Sequence, residues 1–177
     1  DGFDLCQIVR ERTNAYILIL TVRAEEVDML LGFRLGADDY MTKPFSTREL
    51  VARVEAMMRR PRGDLAGAIV RRFGDLTIDL RSRECHVDGV AVELTRIEFD
   101  LLATLSDAPR AVFPRDQLLE RVWGDGWGGD RHVVDVHIAN LRKKVDRPGE
   151  TSSIRTVRGV GYGFTLRSEE HTSALQS

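Results

Sequence analysis

Cationic side chains concentrate near the end of the chain, in a protein whose formal net charge is −2. Between residues 131 and 167, eight lysines and arginines stand against three acidic residues, a local balance of +5. The eight are Arg131, Arg142, Lys143, Lys144, Arg147, Arg155, Arg158 and Arg167. Ammonium and guanidinium groups gathered in this way bind phosphates by charge-assisted hydrogen bonds, so the segment is a candidate nucleic-acid surface.

The middle of this basic stretch, residues 132–145, has the apolar spacing of a helix. At about 100° per residue, one face collects the residues expected in the core, Val134, Ile138, Leu141 and Val145. The opposite face carries Val136, Ala139, Asn140 and Lys143, flanked by His137, Arg142 and Lys144. Aliphatic groups beside an amide suit the major groove of DNA, since they meet thymine methyls while Asn pairs with adenine. The pattern predicts a DNA-reading helix, in which His137 either contacts DNA or packs at the helix edge.

A hairpin is predicted after this helix. Ile154–Val157 and Tyr162–Thr165 have strand composition and flank a turn at 159–161. A nucleotide-binding glycine loop is rejected for this turn, because no strand-to-helix context surrounds it. Arg158 at the hairpin tip is expected in a minor groove, where narrow A·T tracts attract arginine. The complete set of predicted DNA contacts is Arg131, His132, Val136, His137, Ala139, Asn140, Arg142, Lys143, Lys144, Arg155, Thr156 and Arg158.

The elements that position this helix and hairpin form a small unit over residues 70–167. Short antiparallel strands are predicted at Asp75–Asp79, Glu84–Val87 and Ala91–Glu93. Thr95, with Glu98 three residues on, has the spacing of a capping box and begins a helix. A second helix is predicted over Arg115–Trp123. A sheet, three helices and a terminal hairpin describe an α+β winged helix-turn-helix.

The first 60 residues alternate helices with strands, as in a doubly wound α/β sheet. Helices are predicted over Phe3–Arg12, over Ala24–Leu35 and after Ser46, and strands over Tyr16–Leu20 and Asp39–Thr42. Ser46 and Glu49 have the spacing of a second capping box. Two strands make only part of such a sheet.

Two segments fit neither unit. Residues 61–69 are rich in Gly and Pro and are predicted to be a linker. Residues 168–177 resemble the translation of a sequencing adapter and are predicted to be foreign to the fold.

Two motifs resemble the OmpR/PhoB family of bacterial two-component response regulators. Residues 35–45 with 48–54 resemble the end of its receiver domain, and residues 134–145 with 155–164 resemble its recognition helix and wing. The resemblance implies a partial flavodoxin-like receiver over 1–60 and a winged-helix domain that binds double-stranded DNA. It also implies a cytoplasmic transcription regulator that is controlled by a sensor histidine kinase.

The resemblance assigns switch residues to the receiver part. An aspartate of the family accepts a phosphoryl group beside Mg²⁺, and its position is expected just upstream of Asp1-Gly2. No cofactor is therefore expected in this stretch, and Mg²⁺ belongs to the intact receiver. Thr21 matches the hydroxyl that bonds the phosphoryl group, Lys43 the ammonium that pairs with it, and Tyr40 the aromatic that turns inward.

The resemblance also implies a homodimer through the receiver. Asp38, Asp39, Glu49 and Arg53 match the family's dimer face, with Asp39 expected to pair with Arg53 of a second copy. Met29 stands where many relatives carry a basic partner for the Glu49 position, so that pair is not expected.

Other functional classes are weighed against this one. Nothing resembles a nucleophile–base pair or a complete metal site, so an enzyme is not expected. No apolar run approaches the roughly 18 residues of a membrane span. Cys6 and Cys85 lack metal or redox spacing and are expected as buried free thiols. Trp123 is expected in the core, while Trp127 is a candidate for an exposed contact with RNA polymerase. The main alternative is a winged-helix module that binds an acidic protein rather than DNA.

Overall fold

The computed structural model describes residues 1–59 and 69–166. The predicted tail at 168–177 lies outside the described residues, and so does the predicted linker at 61–69 apart from its last residue. Within the described ranges, no helix has the length and apolar character needed to cross a bilayer.

The N-terminal unit contains three helices and two strands. They are α1 (Gly2–Arg12), β1 (Leu18–Thr21), α2 (Glu26–Arg34), β2 (Asp39–Thr42) and α3 (Thr47–Met58). The strands are parallel, with register running from Leu18 opposite Asp39 to Thr21 opposite Thr42. The alternation predicted from the sequence is confirmed, and the carboxyl ends of both strands meet at one edge.

The start of α3 shows one difference from the prediction. The Ser46 hydroxyl accepts a hydrogen bond from the Glu49 amide at 3.0 Å, as expected of the cap. The Glu49 carboxylate pairs with Arg53 at 3.2 Å, one helical turn ahead. A cation at i+4 therefore holds the acid that was expected to complete the capping box.

The C-terminal unit contains two antiparallel sheets and three helices. The strands are β3 (Val70–Phe73), β4 (Leu76–Asp79), β5 (Glu84–Val87), β6 (Val90–Val92), β7 (Val112–Pro114), β8 (Ile154–Val157) and β9 (Gly161–Phe164). The helices are α4 (Arg96–Asp107), α5 (Arg115–Trp123) and α6 (His132–Val145). One sheet has the order β3-β4-β5-β6 and the other β7-β9-β8.

Strands β3 and β7 were not predicted. Strand β3 has two arginines at its centre, and β7 is three residues long and ends in proline. Each is formed because a partner strand is available, β4 for β3 and β9 for β7. Pairing across the fold therefore decides both, and local periodicity carries no signal for either.

Helix α4 begins at the predicted capping box. The Thr95 hydroxyl accepts from the Glu98 amide, and the Glu98 carboxylate accepts from the Thr95 amide at 2.9 Å. Its buried residues Ile97, Leu101, Leu102 and Leu105 form the centre of the core on which α5 and α6 pack.

Candidate nucleic-acid interface

The predicted DNA-reading helix, α6, has the predicted boundaries and core face. Val134, Ile138, Leu141 and Val145 are all 0% exposed. This face packs against α4 and α5, so the opposite side of the helix is fixed in direction by the core.

The side opposite the core forms the candidate reading strip, Val136, Ala139, Asn140 and Lys143. Ala139 and Lys143 are exposed, while Val136 and Asn140 are partly buried. Among the described residues, the side chains of Asn140 and Lys143 have neither a hydrogen bond nor an ion pair. The strip therefore offers an amide and an ammonium that are free to meet a ligand.

The two cations that flank the strip are already engaged. Lys144 Nζ lies 2.6 Å from the Glu98 carboxylate. The Arg142 guanidinium donates to the Ile154 carbonyl at 2.7 Å and to the Thr156 hydroxyl at 2.7 Å. Arg142, predicted to reach phosphates, thus joins α6 to the first strand of the wing.

A third face of α6 is buried, which the sequence analysis did not predict. Val133 is 0% and His137 2% exposed, and α2 of the N-terminal unit packs against α6. The His137 ring lies 6.2 Å from Phe33 of α2 and 5.5 Å from Trp123, measured between centroids. DNA contact by His137 is wrong for this arrangement, because α2 covers the ring; the alternative, packing at the helix edge, is observed.

Burial keeps the His137 ring neutral. Loss of solvent, followed by the positive charge of Arg10, lowers the pKa of His137 to about 3, although the Ala37 carbonyl acts in the opposite direction. Neither ring nitrogen has a hydrogen-bond partner of normal geometry.

Both tryptophans join the two units. Trp123 Nε1 donates to the Asp38 carbonyl at 2.8 Å, and Trp127 Nε1 donates to the Asp39 carboxylate at 2.9 Å. Trp123 is 4% exposed, which confirms its predicted place in the core. Trp127 is partly buried against the N-terminal unit. A contact of Trp127 with RNA polymerase stays a prediction.

Two residues of the predicted dimer face are also buried. Asp38 is 1% exposed and binds the Arg10 guanidinium at 2.6 Å. Burial raises the pKa of Asp38 to about 6, against the lowering effect of Arg10. Asp39 is 1% exposed and pairs with Arg53 of the same chain at 2.8 Å, rather than with a second copy. Glu49 remains exposed.

The predicted switch residues lie around the carboxyl ends of β1 and β2. The Lys43 amide donates to the Thr21 carbonyl at 2.6 Å, which places these two residues side by side. Tyr40 is 3% exposed and its hydroxyl donates to the Arg23 carbonyl at 2.8 Å, so its ring is turned inward.

The described residues do not form a Mg²⁺ site beside Thr21 and Lys43. Within 1–59 and 69–166, the one group of three side chains close enough to share a metal is Glu26, Asp130 and His132, at the boundary of the two units. His132 Nδ1 lies 2.7 Å from Asp130 and 3.7 Å from Glu26.

The wing presents the remaining predicted contacts. Arg155, Thr156 and Arg158 are exposed, with Arg158 in the turn between β8 and β9. A side chain at Gly161 would collide with the Phe113 carbonyl oxygen, so glycine there lets β7 approach β9. Arg131, at the start of α6, is exposed and lies 3.6 Å from Asp116.

Comparison with known families gives two matches. Residues 1–55 match the response regulator receiver domain, and residues 89–164 match the C-terminal domain of transcriptional regulatory proteins. The first match lies within the N-terminal unit, and the second lies within the C-terminal unit and begins in the turn before β6.

Individual relatives span both units. The chain is 44% identical to the transcriptional regulatory protein CseB of Streptomyces coelicolor, over 92% of this chain and 72% of the relative. It is 43% identical to the DNA-binding response regulator MtrA of Mycobacterium tuberculosis, over 92% and 71%.

Solved structures give the same result. A RitR mutant superposes with a TM-score of 0.74 at 33% identity, over 94% of this chain and 74% of that one. The OmpR/PhoB homologue DrrB of Thermotoga maritima gives 0.52 at 34%, over 93% and 74%. The Klebsiella pneumoniae RstA DNA-binding domain, solved with the RstA box, gives 0.51 at 37%, over 56% and 100%.

Proposed function

Since this chain belongs to the OmpR/PhoB-type response regulators, we propose that it is a transcription regulator that binds double-stranded DNA through α6 and the β8–β9 wing. The observation that supports the proposal is the reading strip of α6. It combines exposed Ala139 and Lys143 with an Asn140 amide that has no partner among the described residues.

Each group of the strip has a task that suits its chemistry. Asn140 has a short planar amide, which can pair with an adenine edge in the major groove. Lys143 has a long flexible stem and a point charge, which suit a phosphate. Arg158 projects from the wing turn, where a minor groove would receive it.

Arg142 sets the angle between the two parts of this surface. Its bonds to Ile154 and Thr156 fix the wing against α6, so the recognition helix and the wing tip approach DNA as one body.

DNA binding requires the two units to separate. The major groove is about 8.5 Å deep, and a helix that enters it cannot keep another helix packed on its flank. Because α2 packs against α6 and its Phe33 lies beside His137, the observed arrangement withholds α6 from a duplex. The N-terminal unit therefore acts as an inhibitor of the C-terminal one.

The receiver match supports control by a sensor histidine kinase, with Thr21, Tyr40 and Lys43 as the residues that respond to a phosphoryl group. We propose that the active form is a homodimer in which Arg53 exchanges its own Asp39 for that of the second copy. Its place of action is the cytoplasm, where bacterial DNA lies.

The test is the affinity for duplex DNA as a function of salt. A basic recognition surface that contacts several phosphates loses affinity linearly on a logarithmic salt scale, by about 0.9 per phosphate. We expect such a slope, together with a sequence preference that emerges when sites are selected from random duplexes. Salt-insensitive binding to an acidic protein, with no measurable duplex binding, would replace this proposal by the protein-interaction module.

A further inference from the structure

The boundary of the two units contains a cleft of about 230 Å³. Its walls come from α1 and α2 on one side and from α4 and α6 on the other. The lining residues that matter here are Arg34, Glu98, His137, Asn140, Lys143 and Lys144.

The cleft has excess positive charge. Glu98 neutralises Lys144 and Asp38 neutralises Arg10, both at 2.6 Å. Within the described ranges, Arg34 and Lys143 have no ion pair, and both are exposed. Two uncompensated cations, one from each unit, thus border one space, which suits a dianion.

The cleft also offers a neutral hydrogen-bonding group. Asn140 lines it, and among the described residues its side-chain amide makes no hydrogen bond. His137 belongs to the same wall but is 2% exposed, and both of its ring nitrogens are buried. A ligand in the cleft can therefore form a hydrogen bond with the Asn140 amide.

We propose that this cleft binds a small organic phosphate. The phosphate group would lie between Arg34 and Lys143, and an acceptor or donor atom of the ligand would form a hydrogen bond with the Asn140 amide. Leu35 supplies apolar surface for the organic part, and the volume exceeds what an inorganic phosphate fills.

Such a ligand would hold the two units together. It would contact α2 through Arg34 and α6 through Lys143, so it would stabilise the arrangement in which α6 is covered. This consequence rests on the proposed DNA binding, while the site itself does not.

Binding can be measured directly on the whole chain. Both tryptophans lie at the boundary, so their fluorescence reports on the cleft, and calorimetry gives an independent value. The probes are inorganic phosphate and phenyl phosphate, compared with sodium chloride at equal ionic strength. We expect saturable binding with a Kd of about 1 mM or tighter for phenyl phosphate, weaker binding for inorganic phosphate, and no saturable response to chloride.

Charge variants locate the site. Arg34→Ala should weaken phenyl phosphate binding about tenfold, since a charge-assisted contact is removed. Arg48→Ala is the matched control: it removes an equally exposed arginine of the same unit that does not line the cleft. Equal behaviour of the two variants, or a response to both phosphates no larger than that to chloride, would overturn the proposal.

Competition with DNA tests the consequence separately. At ten times its Kd, phenyl phosphate should lower the duplex affinity of the unsubstituted protein by up to about tenfold. At the same ligand concentration, the tenfold weaker binding of Arg34→Ala should reduce this effect to about twofold, while its duplex affinity without ligand is retained. Saturable binding that leaves duplex affinity unchanged would overturn the proposed coupling. If the protein bound no duplex at all but lost phosphate binding in Arg34→Ala, the site would stand and the proposed function would fail.

Discussion

Asn140 and Lys143 lie three positions apart on the reading strip, yet their side chains suit different parts of a duplex. Lys143→Ala should weaken preferred and scrambled duplexes by the same factor and reduce the salt slope by about one unit, because one phosphate contact is lost. Asn140→Ala should cost about 1–3 kcal/mol on the preferred site alone, because a base edge loses its bidentate partner. Affinities on both duplexes at several salt concentrations measure the two effects.

The pair serves as its own control, since both substitutions truncate a residue of the same strip. If Lys143→Ala altered sequence preference while Asn140→Ala left it unchanged, the assignment of α6 to base and phosphate would be reversed.

At the scale of elements, the contact between α2 and α6 depends on an uncharged His137. We call the arrangement in which α2 packs on α6 the covered form, and its alternative the separated form. The pKa of His137 is lowered to about 3 in the covered form and returns to about 6.5 when the ring is exposed to water. The stabilising contribution is therefore complete above pH 6.5 and is lost as the pH falls toward 3. Between pH 7.5 and 5.5 the titration of His137 alone lowers the ratio of covered to separated forms about tenfold, and the raised pKa of Asp38 offsets part of this fall. Tryptophan fluorescence or amide exchange in α2 follows the net decrease.

His137→Leu should remove this response, because leucine fills the apolar site without a titrating group. Any response that remains should have the opposite sign and belong to Asp38, whose raised pKa makes protonation favour the covered form. An unchanged pH profile in the leucine variant would exclude His137 as the source.

The contact between α2 and α6 shows which features of the fold can be predicted from the sequence and which cannot. The boundaries and core face of α6 follow from one period of aliphatic residues, and the Thr95 cap follows from local chemistry. The burial of His137 depends on α2, which lies about a hundred positions earlier, and periodicity within α6 cannot identify a partner so distant. The adjacent pair Val133-Val134 was the available signal, since two neighbouring valines on a helix point to more than one buried face.

The predicted dimer face shows a related limit of prediction from sequence. Motif resemblance assigned Asp38 and Asp39 to a surface, but their exposure depends on where the second unit docks. The tryptophan bonds to Asp38 and Asp39 are contacts between units, which a residue-by-residue match does not reveal.

At the scale of the whole molecule, affinity for DNA reflects the stability of the covered form. Trp127→Phe keeps an aromatic ring but removes the hydrogen bond to Asp39, which is worth roughly 1.5–3 kcal/mol when the acceptor is charged. We expect duplex affinity to rise by up to about tenfold to hundredfold, because more of the population has α6 free.

Asn14→Ala provides the comparison, since the Asn14–Glu93 contact also joins the two units but is exposed and 3.5 Å long. Its duplex affinity should stay unchanged. A loss of affinity in Trp127→Phe would mean that the covered form does not restrain DNA binding.

Because α6 cannot contact both α2 and a duplex, DNA binding affects the activation of this protein as well as depending on it. Free-energy coupling is reciprocal, so whatever the phosphoryl signal does for DNA affinity, an occupied operator must do for the signal. Under the proposed mechanism, a molecule bound to its operator has α2 uncovered and would be the better phosphorylation substrate or dimerisation partner. Occupied operators would then raise the fraction of activated copies in the cell.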